Sequence, residues 1–190
     1  MVFLTLFGFV KHVKKTMIEL YSSHEIDIKT KIIAQQISRE HKNDATPVVM
    51  VGVLNGAFMF YSDLVRNMDI DVECDFIRVK SYSGKERGSV QLTKDIETSI
   101  QGKHVYLVDD IFDSGETMRF LAKYFNLKGA KTINIVTLVK RAKNEFNPIN
   151  PHSHVSSFRH AFQCDDEWLI GYGMDSTGGY KRNLKAIFAL

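Results

Sequence analysis

Residues 104–117 of the chain read HVYLVDDIFDSGET, an apolar run followed at once by acidic and small polar residues. The apolar part, residues 104–108, is short and rich in valine and leucine, which is typical of a strand buried on both faces of a sheet. Asp109 and Asp110 follow it directly, and residues 113–117 then form a turn that opens a helix. Ligands of open α/β sheets bind beyond the carboxyl ends of the strands, so we expect both acids in a binding crevice.

Strands and helices are predicted to alternate on both sides of this run. Residues 26–41 place isoleucines at helical spacing. The other predicted elements are strands at 48–54, 71–82, 132–139 and 168–173 and helices at 58–67 and 117–127, the last ending at Gly129. This order is typical of an α/β fold with helices on both faces of a parallel sheet. We expect one domain, residues 17–190, with a small appended region, and an N-terminal extension of unknown role, residues 1–16.

Composition excludes several classes of protein. The chain has 190 residues, of which 44% are hydrophobic and 25% charged, as in a soluble globular domain. The net charge is only +3, and the basic residues are interspersed with acidic ones, so no nucleic-acid partner is implied. Cys74 and Cys164 have no Cys or His neighbours at metal-ligand spacing, which argues against a disulfide framework or a structural zinc site. A reducing cytoplasm is the expected location.

The first ten residues are apolar, but a membrane function is not expected for them. A basic cluster at Lys11, Lys14 and Lys15 follows the apolar stretch, whereas a secretory signal carries its charges in front. The stretch is also too short to span a bilayer, which needs about 20 residues. Two interpretations remain, an extension packed on the body or on another subunit, and a weak interfacial anchor.

The acidic cluster after residue 108 predicts a ligand. Asp109, Asp110 and Asp113 repel one another, and capping a helix requires only one of them. Such a cluster is expected to face a cation or a polyhydroxyl ligand. Backbone N–H groups at the start of a helix bind anions, and Ser114 and Thr117 can add hydroxyl donors. The alternative is a set of ordinary N-cap residues without a ligand.

Residues 108–117 resemble the signature of the type I phosphoribosyltransferases, which bind 5-phosphoribosyl 1-diphosphate with magnesium. The resemblance implies their Rossmann-like parallel sheet with a small hood region. It also implies that Asp109 and Asp110 hold the ribose hydroxyls directly or through Mg²⁺, and that Asp113 exchanges a proton with the base near N7. The implied 5′-phosphate site consists of Asp113, Ser114, Gly115, Glu116 and Thr117.

Two further segments resemble the hypoxanthine-guanine phosphoribosyltransferases. Residues 52–60 read GVLNGAFMF and are similar to the pyrophosphate loop of that family, which implicates Leu54, Asn55 and Gly56. In that family the peptide between the first two positions can be cis. Ser81 and Tyr82 precede a polar, glycine-bearing stretch similar to the flexible loop that closes over the active site.

The C-terminal third carries the implied base site. The resemblance implies that Lys140 donates to O6 of the purine, that Trp168 stacks on the base, and that Leu169 offers backbone groups to its edge. It further implies that Asp175 contacts magnesium and that Arg182 reaches pyrophosphate. Taken alone, the lysine is also compatible with a solvated surface residue, and the tryptophan with a core residue.

Three departures from the family pattern limit this transfer of roles. Glu116 stands where a basic residue is common, the acidic pair is Asp-Asp where Glu-Asp is frequent, and one extra residue precedes Arg182.

The implied function is transfer of a phosphoribosyl group to hypoxanthine or guanine by a homodimer or homotetramer. The alternatives are a transferase for another base, such as uracil or xanthine, and an RNA-binding regulator of the same superfamily. The near-neutral charge, Lys140 and Trp168 argue against the regulator.

Overall fold

The chain is described by a computed structural model over residues 16–81, 90–143 and 154–190. Its helices are α1 (Ser23–His41), α2 (Phe58–Arg66) and α3 (Glu116–Leu127). Its strands are β1 (Ile18–Tyr21), β2 (Val48–Leu54), β3 (Glu73–Ser81), β4 (Val90–Lys94), β5 (His104–Phe112), β6 (Thr132–Arg141), β7 (Ser157–Cys164), β8 (Leu169–Ile170) and β9 (Ile187–Ala189). None of the helices in these three segments is long and apolar enough to cross a membrane.

The central sheet has six strands in the order β4-β3-β2-β5-β6-β7. All neighbours are parallel except β3 and β4, which are antiparallel. The predicted α/β fold with a parallel sheet is therefore confirmed. The edge strands β4 and β7 were not predicted, and β4 alternates between half-buried and exposed residues.

Alternation along the strands divides the core into two layers. On β5, Tyr106 and Val108 pack with residues of α1 and α2, whereas Val105 and Leu107 pack with residues of α3. Because side chains of a strand point to opposite faces in turn, a strand buried on both faces must be apolar throughout. Helices therefore cover both faces of the sheet, as the sequence predicts.

Helix α1 begins three residues before its predicted start. Ser22 accepts a hydrogen bond from the Glu25 backbone, and the Glu25 carboxylate accepts one from the Ser22 backbone, which forms a capping box. Ile33 and Ile37 are buried, as their spacing predicts. The other isoleucines at helical spacing, Ile28 and Ile32, remain 42% and 45% exposed.

A second, three-stranded antiparallel sheet in the order β1-β9-β8 corresponds to the predicted appended region. Only residues 169–170 of the predicted strand 168–173 are in strand conformation. Tyr21 joins this small sheet to β7, because its ring stacks on Phe162 at 4.1 Å and its hydroxyl donates to the Gln163 carbonyl at 2.6 Å. The small sheet therefore lies beside the carboxyl-terminal end of β7.

Candidate active site

The acidic pair lies inside β5 and not after it. Asp109 pairs with Thr137 of β6, and Phe112 pairs with Lys140. The predicted end of the strand at residue 108 was therefore wrong, because backbone pairing with β6 continues past the apolar run. The acids still lie near the carboxyl end of the parallel strands, where the fold binds its ligands.

The two acidic side chains are held by their own backbone. Asp109 is 9% exposed, and its Oδ1 accepts from the Asp110 N–H at 2.9 Å. The Asp110 Oδ1 accepts from the Ile111 N–H at 2.8 Å. Burial raises the pKa of both carboxyl groups, and the adjacent Asp110 raises that of Asp109 further. A bound cation would favour the ionised pair, which fits the predicted metal-binding role.

The turn after β5 forms the second part of the site. Gly115 has φ of +75° and is the N-cap of α3, and a Cβ there would lie 2.6 Å from the Phe112 ring. Only glycine fits this conformation and this space. The Glu116 N–H donates to Ser114 Oγ at 3.3 Å. A concavity of about 70 Å³ follows the turn and is lined by Asp109, Ile111, Phe112, Asp113, Ser114, Gly115, Thr117 and Met118.

Arg119 is a residue of this turn that the sequence analysis missed. Its guanidinium donates to the Ser114 carbonyl at 2.7 Å. In the family a basic residue is common at the position of Glu116. Arg119 places a positive charge one helical turn after that position. A basic residue three positions after an acidic one is frequent on helices, so the sequence pattern alone does not single it out.

The loop after β2 packs directly on the acidic pair. The peptide between Leu54 and Asn55 is cis, which the sequence left open. Gly56 faces Asp110 so closely that a Cβ would lie 1.7 Å from the Asp110 Oδ2. The structure therefore brings the predicted pyrophosphate loop and the predicted ribose acids together.

Asp175 and Arg182 are brought to the same loop through Gly173. Arg182 donates to the Gly173 carbonyl at 2.6 Å and forms an ion pair with Asp175 at 2.8 Å. A Cβ at Gly173 would lie 2.1 Å from the Gly56 carbonyl oxygen. The Arg182 charge also counteracts the rise in the pKa of Asp110 that burial causes. Arg182, which the resemblance assigns to pyrophosphate, is thus paired with Asp175, which the resemblance assigns to magnesium.

A larger cleft of about 230 Å³ adjoins the turn after β5 at Ile111 and Asp113. Its lining residues are Asp110, Ile111, Asp113, Arg141, Trp168, Leu169, Met174 and Asp175. Trp168 is 58% exposed, so it does not serve as a core residue, whereas Leu169 is 4% exposed. Lys140 is half-buried at the end of β6 and does not belong to this lining. The structure thus gathers most of the predicted base site and leaves Lys140 beside it.

Arg141 is the second residue that the sequence analysis missed as part of the site. Its Nη1 donates to the carbonyls of Asp165 and Glu167 at 2.6 and 2.8 Å, and its Nε lies 3.8 Å from Asp113 Oδ1. The side chain is mostly buried. Arg141 therefore connects the segment before Trp168 to the turn after β5. Its only sequence clue is its place beside Lys140 at a strand end.

The predicted flexible loop falls largely outside the described residues. Ser81 is the last residue of β3. Tyr82 lies outside the described segments.

Residues 18–177 match the family model described as the phosphoribosyl transferase domain. The hypoxanthine-guanine phosphoribosyltransferase of Bacillus subtilis (strain 168) is 34% identical over 173 residues, covering 90% of this chain and 91% of the relative. The enzyme of the same name from Aquifex aeolicus (strain VF5) is 35% identical over 174 residues, covering 89% and 92%.

Solved structures agree with this assignment. A hypoxanthine-guanine phosphoribosyltransferase from Bacillus anthracis superposes with a TM-score of 0.76 at 33% identity, covering 92% of this chain and 98% of that one. The hypoxanthine phosphoribosyltransferase of Trypanosoma cruzi, in complex with the product IMP, has a TM-score of 0.79 at 27% identity, covering 95% and 96%. The chain therefore belongs to the phosphoribosyltransferase family and, within it, to the hypoxanthine-guanine phosphoribosyltransferases.

Proposed function

We propose that the protein transfers the 5-phosphoribosyl group of 5-phosphoribosyl 1-diphosphate to hypoxanthine or guanine, giving IMP or GMP and pyrophosphate. One observation carries the proposal. The cleft that contains Trp168 and the concavity at the start of α3 share Ile111 and Asp113 as lining residues. A nucleoside monophosphate can therefore lie across both, with its base beside Trp168 and its phosphate at the helix N-terminus.

The phosphate end of this arrangement uses backbone donors. The first N–H groups of a helix have no partner within the helix, and its dipole favours a negative charge there. The positive φ of Gly115 turns the backbone tightly before Glu116, the first residue of α3. Ser114, Thr117 and Asp113 line the same concavity. We assign the 5′-phosphate to this turn, and the ribose hydroxyls to Asp109 and Asp110.

The base end combines an aromatic face with polar groups. A half-exposed indole at the wall of a cleft offers a flat apolar surface to a flat base. The neighbouring residue Leu169 lines the same cleft, and we assign its backbone groups to hydrogen bonds with the purine edge. Lys140, the last residue but one of β6, pairs with Phe112 of β5 and carries three donors, which match the O6 acceptor of a 6-oxopurine and not the amino group of adenine.

Asp113 is the proposed catalytic residue. In the reaction, the bond between C1′ and the diphosphate oxygen breaks, the bond between C1′ and N9 of the purine forms, and a proton leaves the base. Asp113 lines both the base cleft and the phosphate turn, so its carboxylate can exchange that proton near N7. Such a transfer typically contributes about 10²–10⁴-fold to the rate.

Magnesium is the proposed cofactor, held by Asp109, Asp110 and Asp175. Carboxylate oxygens are the protein ligands that Mg²⁺ prefers, and the buried acidic pair would become ionised beside a cation. When bound, Mg²⁺ neutralises the diphosphate leaving group. The loop at Asn55 and Gly56 and the Arg182 guanidinium would bind the diphosphate group.

The test measures nucleotide formation from 5-phosphoribosyl 1-diphosphate with hypoxanthine, guanine, xanthine, adenine and uracil, each with Mg²⁺ and with EDTA in its place. Turnover with hypoxanthine or guanine that requires Mg²⁺ is expected. Activity with adenine or uracil alone would contradict the assignment of the base site.

The role of Asp113 has its own test. Asp113→Asn should lower kcat by about 10²–10⁴-fold, because the amide cannot exchange the proton. The Kd for 5-phosphoribosyl 1-diphosphate, measured by calorimetry, should change little. An equal loss in kcat and in binding would show that Asp113 holds the substrate and does not transfer a proton. Homo-oligomer formation and a cytoplasmic location remain predictions.

A further inference from the structure

A second cluster of ionisable side chains lies at the amino-terminal edge of the central sheet. It consists of His41, the last residue of α1, of Asp44 in the connection to β2, and of His104, the first residue of β5. Six residue steps along β5 separate His104 from Asp110, which corresponds to about 20 Å in a strand. The cluster is therefore distinct from the candidate active site, which lies at the opposite edge.

We propose that His41, Asp44 and His104 bind a divalent transition metal ion, with Zn²⁺ as the best-suited ion. One ring nitrogen of each histidine and one carboxylate oxygen of Asp44 lie within 4.8 Å of one another. Asp44 Oδ2 and His104 Nε2 are 3.0 Å apart. Two ligands of a tetrahedral zinc ion with bonds of about 2.0–2.1 Å are separated by about 3.3 Å, so this pair needs little movement. Imidazole nitrogens with one carboxylate are an established donor set for this ion.

The hydrogen bonds of His41 leave one ring nitrogen available. Its Nε2 lies 2.8 Å from the Tyr106 hydroxyl, and that hydroxyl donates its single proton to the Glu40 carboxylate at 3.3 Å. The hydroxyl oxygen must then accept from Nε2–H, which puts the lone pair of the imidazole on Nδ1. That Nδ1 is a buried atom with no hydrogen-bond partner among the described residues. Because buried polar atoms are nearly always satisfied, this lone pair is available to a ligand from the cleft, and a metal ion is the ligand that the other two side chains also fit.

His104 is held in an equivalent way. Without a metal ion, its Nε2–H donates to Asp44 Oδ2 at 3.0 Å, and its Nδ1 lies 2.7 Å from the Thr132 hydroxyl, which can donate to it. When an ion replaces the proton on Nε2, the same hydroxyl can accept from Nδ1–H. Metal-binding histidines are usually oriented by such a hydrogen bond from their other nitrogen. Asp44 is also oriented, because its Oδ1 accepts from the Thr46 N–H at 2.8 Å and its Oδ2 faces His104. Each of the three side chains thus has one polar atom held by a residue outside the cluster and a second atom that can bind the ion.

The surroundings allow entry of an ion. His41 and Asp44 line a surface cleft of about 490 Å³, which gives space for a water molecule as the fourth ligand. Lys131 places a positive charge near Asp44, since its Nζ is 3.8 Å from Asp44 Oδ2, and Arg159 adds a more distant positive charge near His41. The Lys131 side chain is 47% exposed and already donates to Thr46 Oγ1 at 2.8 Å, so solvent screens its charge and it keeps a partner without Asp44.

The test is calorimetric titration of Zn²⁺ into the full, untagged chain after removal of metals by EDTA and its exchange into buffer. A large excess of Mg²⁺ occupies the active-site carboxylates. We expect one Zn²⁺ per chain, and a loss of affinity of at least about 100-fold in His41→Gln and in Asp44→Asn, because each loses a direct ligand. Tyr106→Phe should lower the affinity by about 10–100-fold, because it removes only the group that orients His41.

His24→Gln is the matched control, since His24 lies near the other end of α1, about 26 Å from His41 along the helix. This variant should bind Zn²⁺ like the wild type, and circular dichroism should show that all variants remain folded. Wild-type protein that binds no Zn²⁺, or folded His41→Gln and Asp44→Asn variants with unchanged affinity, would overturn the proposal. Binding that is lost only in Cys74→Ser would overturn it too.

Discussion

Gly56→Ala should remove most of the activity without unfolding the protein. A Cβ at this position would lie 1.7 Å from Asp110 Oδ2 and 2.4 Å from Asp110 Cγ. Cβ atoms essentially never lie within 3.0 Å of another heavy atom, so the loop or the carboxylate must move by about 1.3 Å. The φ of Gly56 is not positive, so the substitution acts through steric overlap and not through backbone strain.

The size of the effect follows from this displacement. A misplacement of about 1 Å in an active site can lower the rate by about 100-fold. We therefore expect kcat/KM to fall by at least about 100-fold, or about 2.7 kcal/mol of transition-state stabilisation. The loss should appear with both hypoxanthine and guanine, because Asp110 is assigned to ribose and Mg²⁺ and not to the base.

Gly102→Ala is the matched control. Nothing lies within 4 Å of a Cβ at Gly102, although its φ of +71° makes alanine unfavourable there. This variant should lose about 1–2 kcal/mol of stability and keep its kcat/KM. The assay measures initial rates of nucleotide formation at varied 5-phosphoribosyl 1-diphosphate, together with Tm. A Gly56→Ala enzyme with wild-type kcat/KM would refute the close packing of this loop on Asp110.

Two further substitutions test the scaffold and the base site. The Asp75 carboxylate accepts hydrogen bonds from the backbone N–H groups of Phe76, Glu97 and Thr98 at 2.6–2.7 Å. Burial raises its pKa, but these hydrogen bonds outweigh burial, and the net effect is a lowered pKa. Asp75→Asn should therefore cost about 1.5–3 kcal/mol in urea unfolding at pH 7. A carboxyl group whose pKa is lowered by folding stabilises the protein fully above the pKa of the unfolded state and loses this effect as the pH falls further. The difference in unfolding free energy between wild type and variant should therefore shrink below about pH 4. An equal difference at pH 7 and at about pH 3 would contradict the role of the ionised carboxylate. Arg141→Lys should raise the KM for hypoxanthine by about tenfold and leave the KM for 5-phosphoribosyl 1-diphosphate unchanged, because an ammonium cannot match the donor geometry toward the carbonyls of Asp165 and Glu167; equal rises in both would place Arg141 elsewhere in the reaction.

The buried centre of the fold could be predicted from sequence because its strands are continuous apolar runs. The strand β2 is buried at six of its seven positions, and β6 at seven of its ten. The end of β5 was mispredicted because hydrophobicity ends at residue 108, whereas backbone pairing with β6 continues to Phe112. Polar residues inside a strand thus mark the binding edge but hide the strand's true length.

The short strands β1 and β9 could not be predicted, because their stability comes from partners that are distant in sequence. They pair with each other across nearly the whole chain and have only four and three residues. Strands of this length have no periodicity that could distinguish them from turns. Their position depends on tertiary packing, for example on the stacking of Tyr21 with Phe162.

In the candidate site too, features encoded by neighbouring residues could be predicted, whereas features that depend on distant residues could not. The turn at residues 113–117 could be predicted, because its members are contiguous and their chemistry is local. Arg141 could not, because its partners are backbone carbonyls 24 and 26 residues away. Carbonyl groups are present at every residue, so no sequence motif records which of them an arginine will contact.

The acidic pair and the small sheet are connected by a sequence of close contacts that no single motif contains. Arg182 donates to the Gly173 carbonyl, Gly173 approaches the Gly56 carbonyl so closely that no Cβ fits, and Gly56 faces Asp110 in the same way. Because close-packed atoms cannot absorb a displacement, a shift of the segment at Gly173 must move either Gly56 or its contact with Asp110. The position of the segment joining β8 to β9 is therefore a determinant of the geometry at Asp110, although Gly56 and Gly173 lie far apart in the sequence.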